Sequence, residues 1–560
     1  MKEQIIELME KTLSAYTNEH IQRYFNDVKT NGLTEHGFPR LTSNIGILIA
    51  NGRRCDLLGI FLEMMEFCCE QIPKVKAANE FSIREIICCI WELESAGGIV
   101  CDEDILRWKD CLASVNPEKC YNSYEESLAG KTRNWAIFMT VSELFREKAG
   151  LRSNVRDFID IHLEKQMKWI DDNGMYRDNI FAENQQPVMY DLVTRGLFVF
   201  LLSFGYRGKY YEQIDEYLKK SALLTLKMQS PNGEAPFGGR SNQFLHNEAW
   251  LITVYGYEIN RYEKEGNKPL AATFRTAYTR ALKVTQNLLS KTPILHIKNR
   301  FPTETKYGCE DYAYFDKYMI TVASILYMAY LVHYDSATLP YAVDYEPCAA
   351  VTSQYFHKLF LKSGGYGLEF DLEADPHYDA NGLGRVHRDG APPSICMSCP
   401  CPESPEYTVD ISPIAFSACS AVLENDTWKL GAEEGVKYEV LEYSTDISSA
   451  FATLACRFET GKCVQEHYTV NENGVEIALE GDGKIAFSLP AFCFDGEKVP
   501  EIVAEKHTLT IGYEGWVCRY TTSGEIVDLN KIAANRNGHY HIFIATSENN
   551  LNVKIEIIKQ

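Results

Sequence analysis

Asp172-Asn-Gly-Met-Tyr-Arg-Asp178 and Pro231-Asn-Gly-Glu-Ala-Pro-Phe-Gly-Gly239 each follow an amphipathic helical stretch, and their glycines Gly174 and Gly233 lie 59 residues apart. Two helices of roughly 15–20 residues with their loops fill such an interval. About six pairs of that length fit before residue 345, where the helical pattern stops. Working outward, Ile83–Trp91, Trp135–Phe145, Leu197–Leu202 and Met319–Leu331 are apolar on most faces and read as inner helices. Val155–Ile170 is amphipathic and charged and reads as an outer one. Buried and amphipathic helices alternating with a pair-length period predict an N-terminal (α/α)6-type helical toroid over residues 1–345. An open helical solenoid is the competing arrangement.

After Tyr345 the texture changes. Short alternating or β-branched runs such as Tyr366–Leu372, Lys437–Tyr443, Val475–Leu479, His541–Ala545 and Val553–Ile557 are separated by Gly/Asn/Asp turns, among them Asn471-Glu-Asn-Gly474 and Asn535-Arg-Asn-Gly538. They predict a C-terminal antiparallel β-sandwich over 346–560. The boundary falls in 334–346, without a low-complexity linker, so the two halves are expected to pack on each other.

A 560-residue chain with 45% hydrophobic and 24% charged residues is globular and too long for one core. Its net charge of −21 argues against nucleic acid as partner, while leaving room for an anionic substrate at a locally basic site. No apolar run approaches the roughly 20 residues of a membrane span, and no membrane partner is expected. Met1–Glu10 lacks the apolar core of a signal peptide, and the 18 cysteines read as reduced thiols. A cytoplasmic location is the expectation. The oligomeric state stays open, a homo-oligomer included.

Polar, glycine-punctuated segments carry the candidate chemistry. In Gly233–Trp250 the residues Arg240, Asn242, His246 and Glu248 cluster beside two glycines, and the spacing puts Asn242 and His246 on one face of a helix start. A capping residue and a packed histidine are the plain alternative. Tyr307–Met319 offers Tyr312, Tyr314 and Tyr318 as phenols with Lys317 beside them. In the β half, Asp375–Pro392 reads as a glycine-rich loop whose His377, Arg385 and His387 make an anion-binding patch. Asn134 and Trp135 open one inner helix, and Asn184–Arg195 opens the next with Tyr190, Asp191 and Arg195. If the toroid is right, all four helical segments meet at one mouth of the ring. Cys396-Met-Ser-Cys-Pro-Cys401 has no second pair at ligand spacing, so neither a metal nor another cofactor is expected.

On these segments the chain resembles the heparinase II/III-like and alginate-lyase-like polysaccharide lyases, which join an (α/α) toroid to a β-sandwich. Asn242…His246 resembles their Asn/His catalytic segment, and Tyr312 or Tyr314 fills the place of their tyrosine. The adjacent Asn-Asn-His order usual in those lyases is missing. The helical half also resembles toroid proteins associated with β-glucuronidase activity, through Arg133–Phe138, Asp172–Asp178 and Pro236–Ser241. Both resemblances imply substrates containing uronic acids. A uronide lyase neutralises the substrate carboxylate, removes the proton beside it and protonates the leaving oxygen. The resemblance then implies His246 as base, Tyr312 or Tyr314 as acid, and Asn242 and Arg240 as neutralisers. The remaining roles, substrate binding by Glu248, Tyr190, Asp191, Arg195, Asn134, Trp135, His377, Arg385 and His387, are expectations. A glucuronidase-type hydrolase with paired carboxylates and a non-catalytic glycan-binding protein are the alternatives. With no export signal read, the expected substrate is an oligosaccharide rather than a polymer.

Overall fold

The computed structural model describes residues 2–131, 133–178, 185–332 and 346–560. Helices occupy the chain up to Leu331, and the first strand begins at Cys348. The chain is therefore helical first and antiparallel β second, as its texture predicts. The boundary drawn at residue 345 lies outside the described residues.

Among the described residues, six helices are apolar nearly all round: Gly37–Ala50, Asn79–Ala96, Asn134–Lys148, Val188–Ser203, Asn247–Lys264 and Thr321–Leu331. Each packs on the next in that order, and the last packs on the first, which closes an inner ring. Amphipathic helices alternate with them along the chain and lie outside the ring: Lys2–Leu13 packs on Thr321–Leu331, Leu58–Gln71 on Gly37–Ala50, Arg156–Gln166 on Asn134–Lys148, Tyr211–Met228 on Val188–Ser203 and Lys268–Leu289 on Asn247–Lys264, with Asp102–Ala113 against Leu58–Gln71. Closure follows from the sequence pattern, because a helix apolar on every face needs neighbours on every side. Gly196 shows how tight the ring is. A β-carbon there would sit 2.4 Å from the Trp250 ring of the next inner helix. Among the described residues no helix is long and apolar enough to cross a membrane.

The β half holds a four-stranded sheet, β1 (Cys348–Val351), β2 (Lys358–Ser363), β3 (Tyr366–Asp371) and β4 (Gly382–Arg388), and a larger eleven-stranded sheet, with antiparallel pairing throughout. Period-two alternation divides the small sheet into two faces. Leu359, Leu361, Leu368, Phe370, Leu383 and Val386 join the sandwich core. Phe360, on the other face, packs with Met175, Val188 and Met228 of the helical half. That same face carries Lys358, Glu369, Arg385 and His387, all buried. The backbones approach closely, since a β-carbon on Gly367 would lie 2.4 Å from Pro231. Arg385 and His387 thus sit on a strand inside the seam, which corrects the expected open loop.

Candidate active site at the mouth of the ring

The N-terminal ends of the inner helices lie at one end of the ring, its mouth. His36 and His246 stand just before Gly37–Ala50 and Asn247–Lys264, and Phe81, Trp135 and Tyr190 lie in the first turns of their helices. A chain of rings links His36 to Phe81 (4.5 Å between centroids) and Phe81 to Trp135 (5.2 Å). A second chain links His246 to Tyr318 (5.7 Å) and Tyr318 to Tyr312 (5.7 Å).

Hydroxyls and cations converge on Tyr312. Its phenol oxygen lies 2.7 Å from Ser241 Oγ, and Ser241 Oγ lies 3.2 Å from the Tyr190 hydroxyl. Arg240 Nε donates to the same Tyr312 oxygen at 3.0 Å, with its guanidinium 4.3 Å over the Tyr312 ring. Lys317 Nζ is 6.0, 5.9 and 5.9 Å from the ring centres of Tyr312, Tyr314 and Tyr318 and makes no ion pair among the described residues. Burial raises the Tyr312 pKa well above the ordinary phenol value, reinforced by Tyr190 and Glu310 and opposed by Arg240. The phenol is therefore protonated at neutral pH. Burial also lowers the Lys317 pKa, with Arg40 adding to the effect.

The loop that presents these groups is strained and braced. Ser241 and Gln243 hold φ of 62° and 64°, a left-handed conformation that costs a non-glycine residue of order 1 kcal/mol or more. Three contacts hold it there. Glu310 accepts the Ser241 N–H at 2.8 Å, Lys298 N–H donates to the Gln243 carbonyl at 3.0 Å, and Leu245 N–H donates to the His296 carbonyl at 3.1 Å. Glu310 is gripped by Arg536 at 2.8 and 3.0 Å from the turn between the last two strands. Asp379 of the β half accepts the Gly239 N–H at 2.5 Å. The sandwich thus shapes the mouth through Arg536 and Asp379.

Several candidates are placed elsewhere than the sequence suggests. Asn242 and His246 precede the helix, which starts at Asn247, so they are not one helical face. Asn242 donates to the Pro236 carbonyl at 3.2 Å and accepts from Gln243 at 2.5 Å, which commits its amide to the loop. Tyr314 is 38% exposed and turns toward Glu35, whose charge helps burial raise its pKa. Asn134 is tied to Asp178 by its backbone and side-chain N–H groups at 3.1 and 2.7 Å. Asp191 and Arg195 form a buried pair at 2.7 Å whose other atoms hold the Tyr176 N–H and Thr225. They brace the wall and do not reach the opening. Glu248 faces away into the seam, 2.7 Å from Lys298. Arg385 is held by the Ala235 and Ser398 carbonyls and Glu369, and His387 meets Ser230 at 2.6 Å. His377 is exposed beside the Ser404 carbonyl. Of the cysteines, Cys396 contacts the Tyr520 hydroxyl and Cys399 contacts Asn537, so they do not share one ligand site. Asn184 lies outside the described residues.

Ser241, Glu310, Arg536 and His36 are not legible as site residues in the sequence. Glu310 falls inside the quoted Tyr307–Met319 segment, but its partner Arg536 is 226 residues away, and no local pattern joins them.

His246 and His296 give the mouth a pH signature. Burial first, then the charges of Arg40, His296 and Lys298, bring His246 down to about 3. Burial brings His296 down to about 4 against the pull of the Ala313 carbonyl and Glu310. Both are neutral when folded, whereas the unfolded chain binds protons near pH 6.5. Their contribution to stability is present above pH 6.5 and is lost as pH falls toward 4. Thermal melts should show a falling midpoint over that window, and His296→Gln should flatten the fall. An unchanged slope would count against these two histidines as its source.

No protein-family model matches this sequence, and no curated protein matches it. Among solved structures it is similar to a heparinase III, with a TM-score of 0.36 and 10% identity over 86% of this chain and 77% of that one. It is similar to the heparan sulfate lyase HepC from Pedobacter heparinus, with a TM-score of 0.35 and 9% identity over 90% of this chain and 76% of the other. A glycosyl hydrolase of family 88 from Bacteroides vulgatus aligns with 59% of this chain and 99% of its own, at 11% identity and a TM-score of 0.37. At these identities and TM-scores the likeness assigns no chemistry to this chain.

Proposed function

We propose that this chain is a carbohydrate-active enzyme that cleaves uronic-acid-containing oligosaccharides by β-elimination at the mouth of the ring. The observation that carries this reading is the Tyr312 phenol, held protonated between Arg240 and Ser241 on the same opening as a neutral histidine. Arg240 and Lys317 neutralise the uronate carboxylate, which makes the neighbouring carbon-bound proton more acidic. His246, neutral in the empty site, accepts that proton. An anionic substrate beside it raises its proton affinity above the empty-site value. Tyr312 gives its proton to the departing glycosidic oxygen, and Ser241 and Tyr190 relay the replacement.

Hydrolysis needs two carboxylates on either side of the bond. Glu310 is held by Arg536, Asp178 by Asn134, and Glu35 by the Tyr24 hydroxyl and the Gly37 N–H. Mass spectrometry of the products separates the two reactions. Elimination leaves a new non-reducing end one water lighter than hydrolysis would. Products of hydrolytic mass alone would overturn the proposal, and no cleavage of any uronate oligosaccharide would leave glycan binding without catalysis.

A further inference from the structure

A cavity of about 580 Å³ opens on the seam behind the strained loop. Gln243 lines it, but Arg240, Ser241, His246, Tyr312 and Tyr318 do not, so it is separate from the mouth. Its volume lies in the roughly 300–1,000 Å³ range of small-molecule sites. One wall is the outer helix Lys268–Leu289 and the other is formed by the β half around Gly390 and Trp516.

The charge balance of this cavity is uneven. Lys298 is held by Glu234 and Glu248, and Arg300 by Asp495, Glu497 and Glu514. Lys283 and Lys291 line the same cavity, are exposed, and make no ion pair among the described residues. Opposite them stands Trp516, against which Gly390 packs with φ 79°. A β-carbon on Gly390 would lie 3.6 Å from the indole. Arg280, Asp389, Asn232 and Asn287 also line it. Two unpaired ammonium groups, an aromatic face and neutral amides match an anion, a sugar ring and its hydroxyls respectively.

We propose that the seam cavity is a second binding site, for a small saccharide carrying one carboxylate or phosphate. The anion sits between Lys283 and Lys291, and the ring lies on Trp516. The site stands whether or not the mouth performs elimination, since it shares none of the residues assigned to that chemistry.

Calorimetric titration of the full chain with glucuronate, glucose 6-phosphate and uncharged glucose tests this. Titrations are run in the Arg240→Ala protein, so that binding at the mouth does not intrude. At least one of the two anions should bind and glucose should not. The anion that binds identifies the carboxylate or the phosphate as the preferred group. Lys283→Glu with Lys291→Glu should weaken binding at least about tenfold, and Trp516→Ala several-fold, with melting temperatures unchanged for the exposed lysine pair. Failure of both anions to bind, or binding indifferent to the lysines and to Trp516, would overturn the proposal.

Discussion

Tyr312→Phe is expected to lower kcat on uronate oligosaccharides by about 10²–10⁴-fold, the usual contribution of a positioned proton donor, while leaving the fold intact. The substitution removes one oxygen and keeps the ring that lies under Arg240 and beside Tyr318. Tyr190→Phe is the natural control. Its hydroxyl lies 3.2 Å from Ser241 Oγ and is not the proposed proton donor, so it should cost about tenfold or less in kcat. Arg240→Lys keeps the charge but loses the planar fork, and it should raise KM more than it lowers kcat. Steady-state kinetics on the three variants checks the assignment. A Tyr312→Phe enzyme with wild-type kcat would remove the phenol from the mechanism.

Lys298→Met should produce the largest loss of stability. Lys298 Nζ lies buried between Glu248 at 2.7 Å and Glu234 at 3.2 Å. Burial pushes the Glu234 pKa up, but Lys298, His387 and Arg385 outweigh it and hold the carboxylate ionised. Burial raises Glu248 in spite of Lys298. Removing the ammonium strands two carboxylates away from water, and breaking a buried pair in this way costs about 3–5 kcal/mol. Urea unfolding followed by circular dichroism measures it. Neutralising the whole cluster as Glu234→Gln, Glu248→Gln and Lys298→Met should recover most of the loss, because the penalty comes from uncompensated charge. A triple variant no more stable than Lys298→Met would assign the effect to packing instead.

The same cluster explains where sequence reasoning stopped. Helices apolar on every face, such as Val188–Ser203, announce burial on all sides, and the interval between Gly174 and Gly233 announces pairing, so the ring was legible. The sandwich was legible from alternation. In β4 the alternation is intact, but Arg385 and His387 face the helical half instead of water. A charged face buried against another domain reads locally like a solvated loop. The segment 241–246 reads as a helix start because its residue types suit one. It is held in another shape by its contacts with 296–298 and by the Glu310–Arg536 pair, which are contacts between distant parts of the chain. The grouping of Tyr190, His246 and Tyr312 at one opening was anticipated from the toroid, whereas Ser241, Glu310 and Arg536 depended on those long-range contacts.

The most direct test of elimination at the mouth is ultraviolet absorbance during incubation with a panel of uronic-acid oligosaccharides, with reducing ends counted in parallel. Elimination predicts absorbance from an unsaturated uronate rising in step with new reducing ends, and its loss in Tyr312→Phe. Reducing ends that accumulate without absorbance would contradict it.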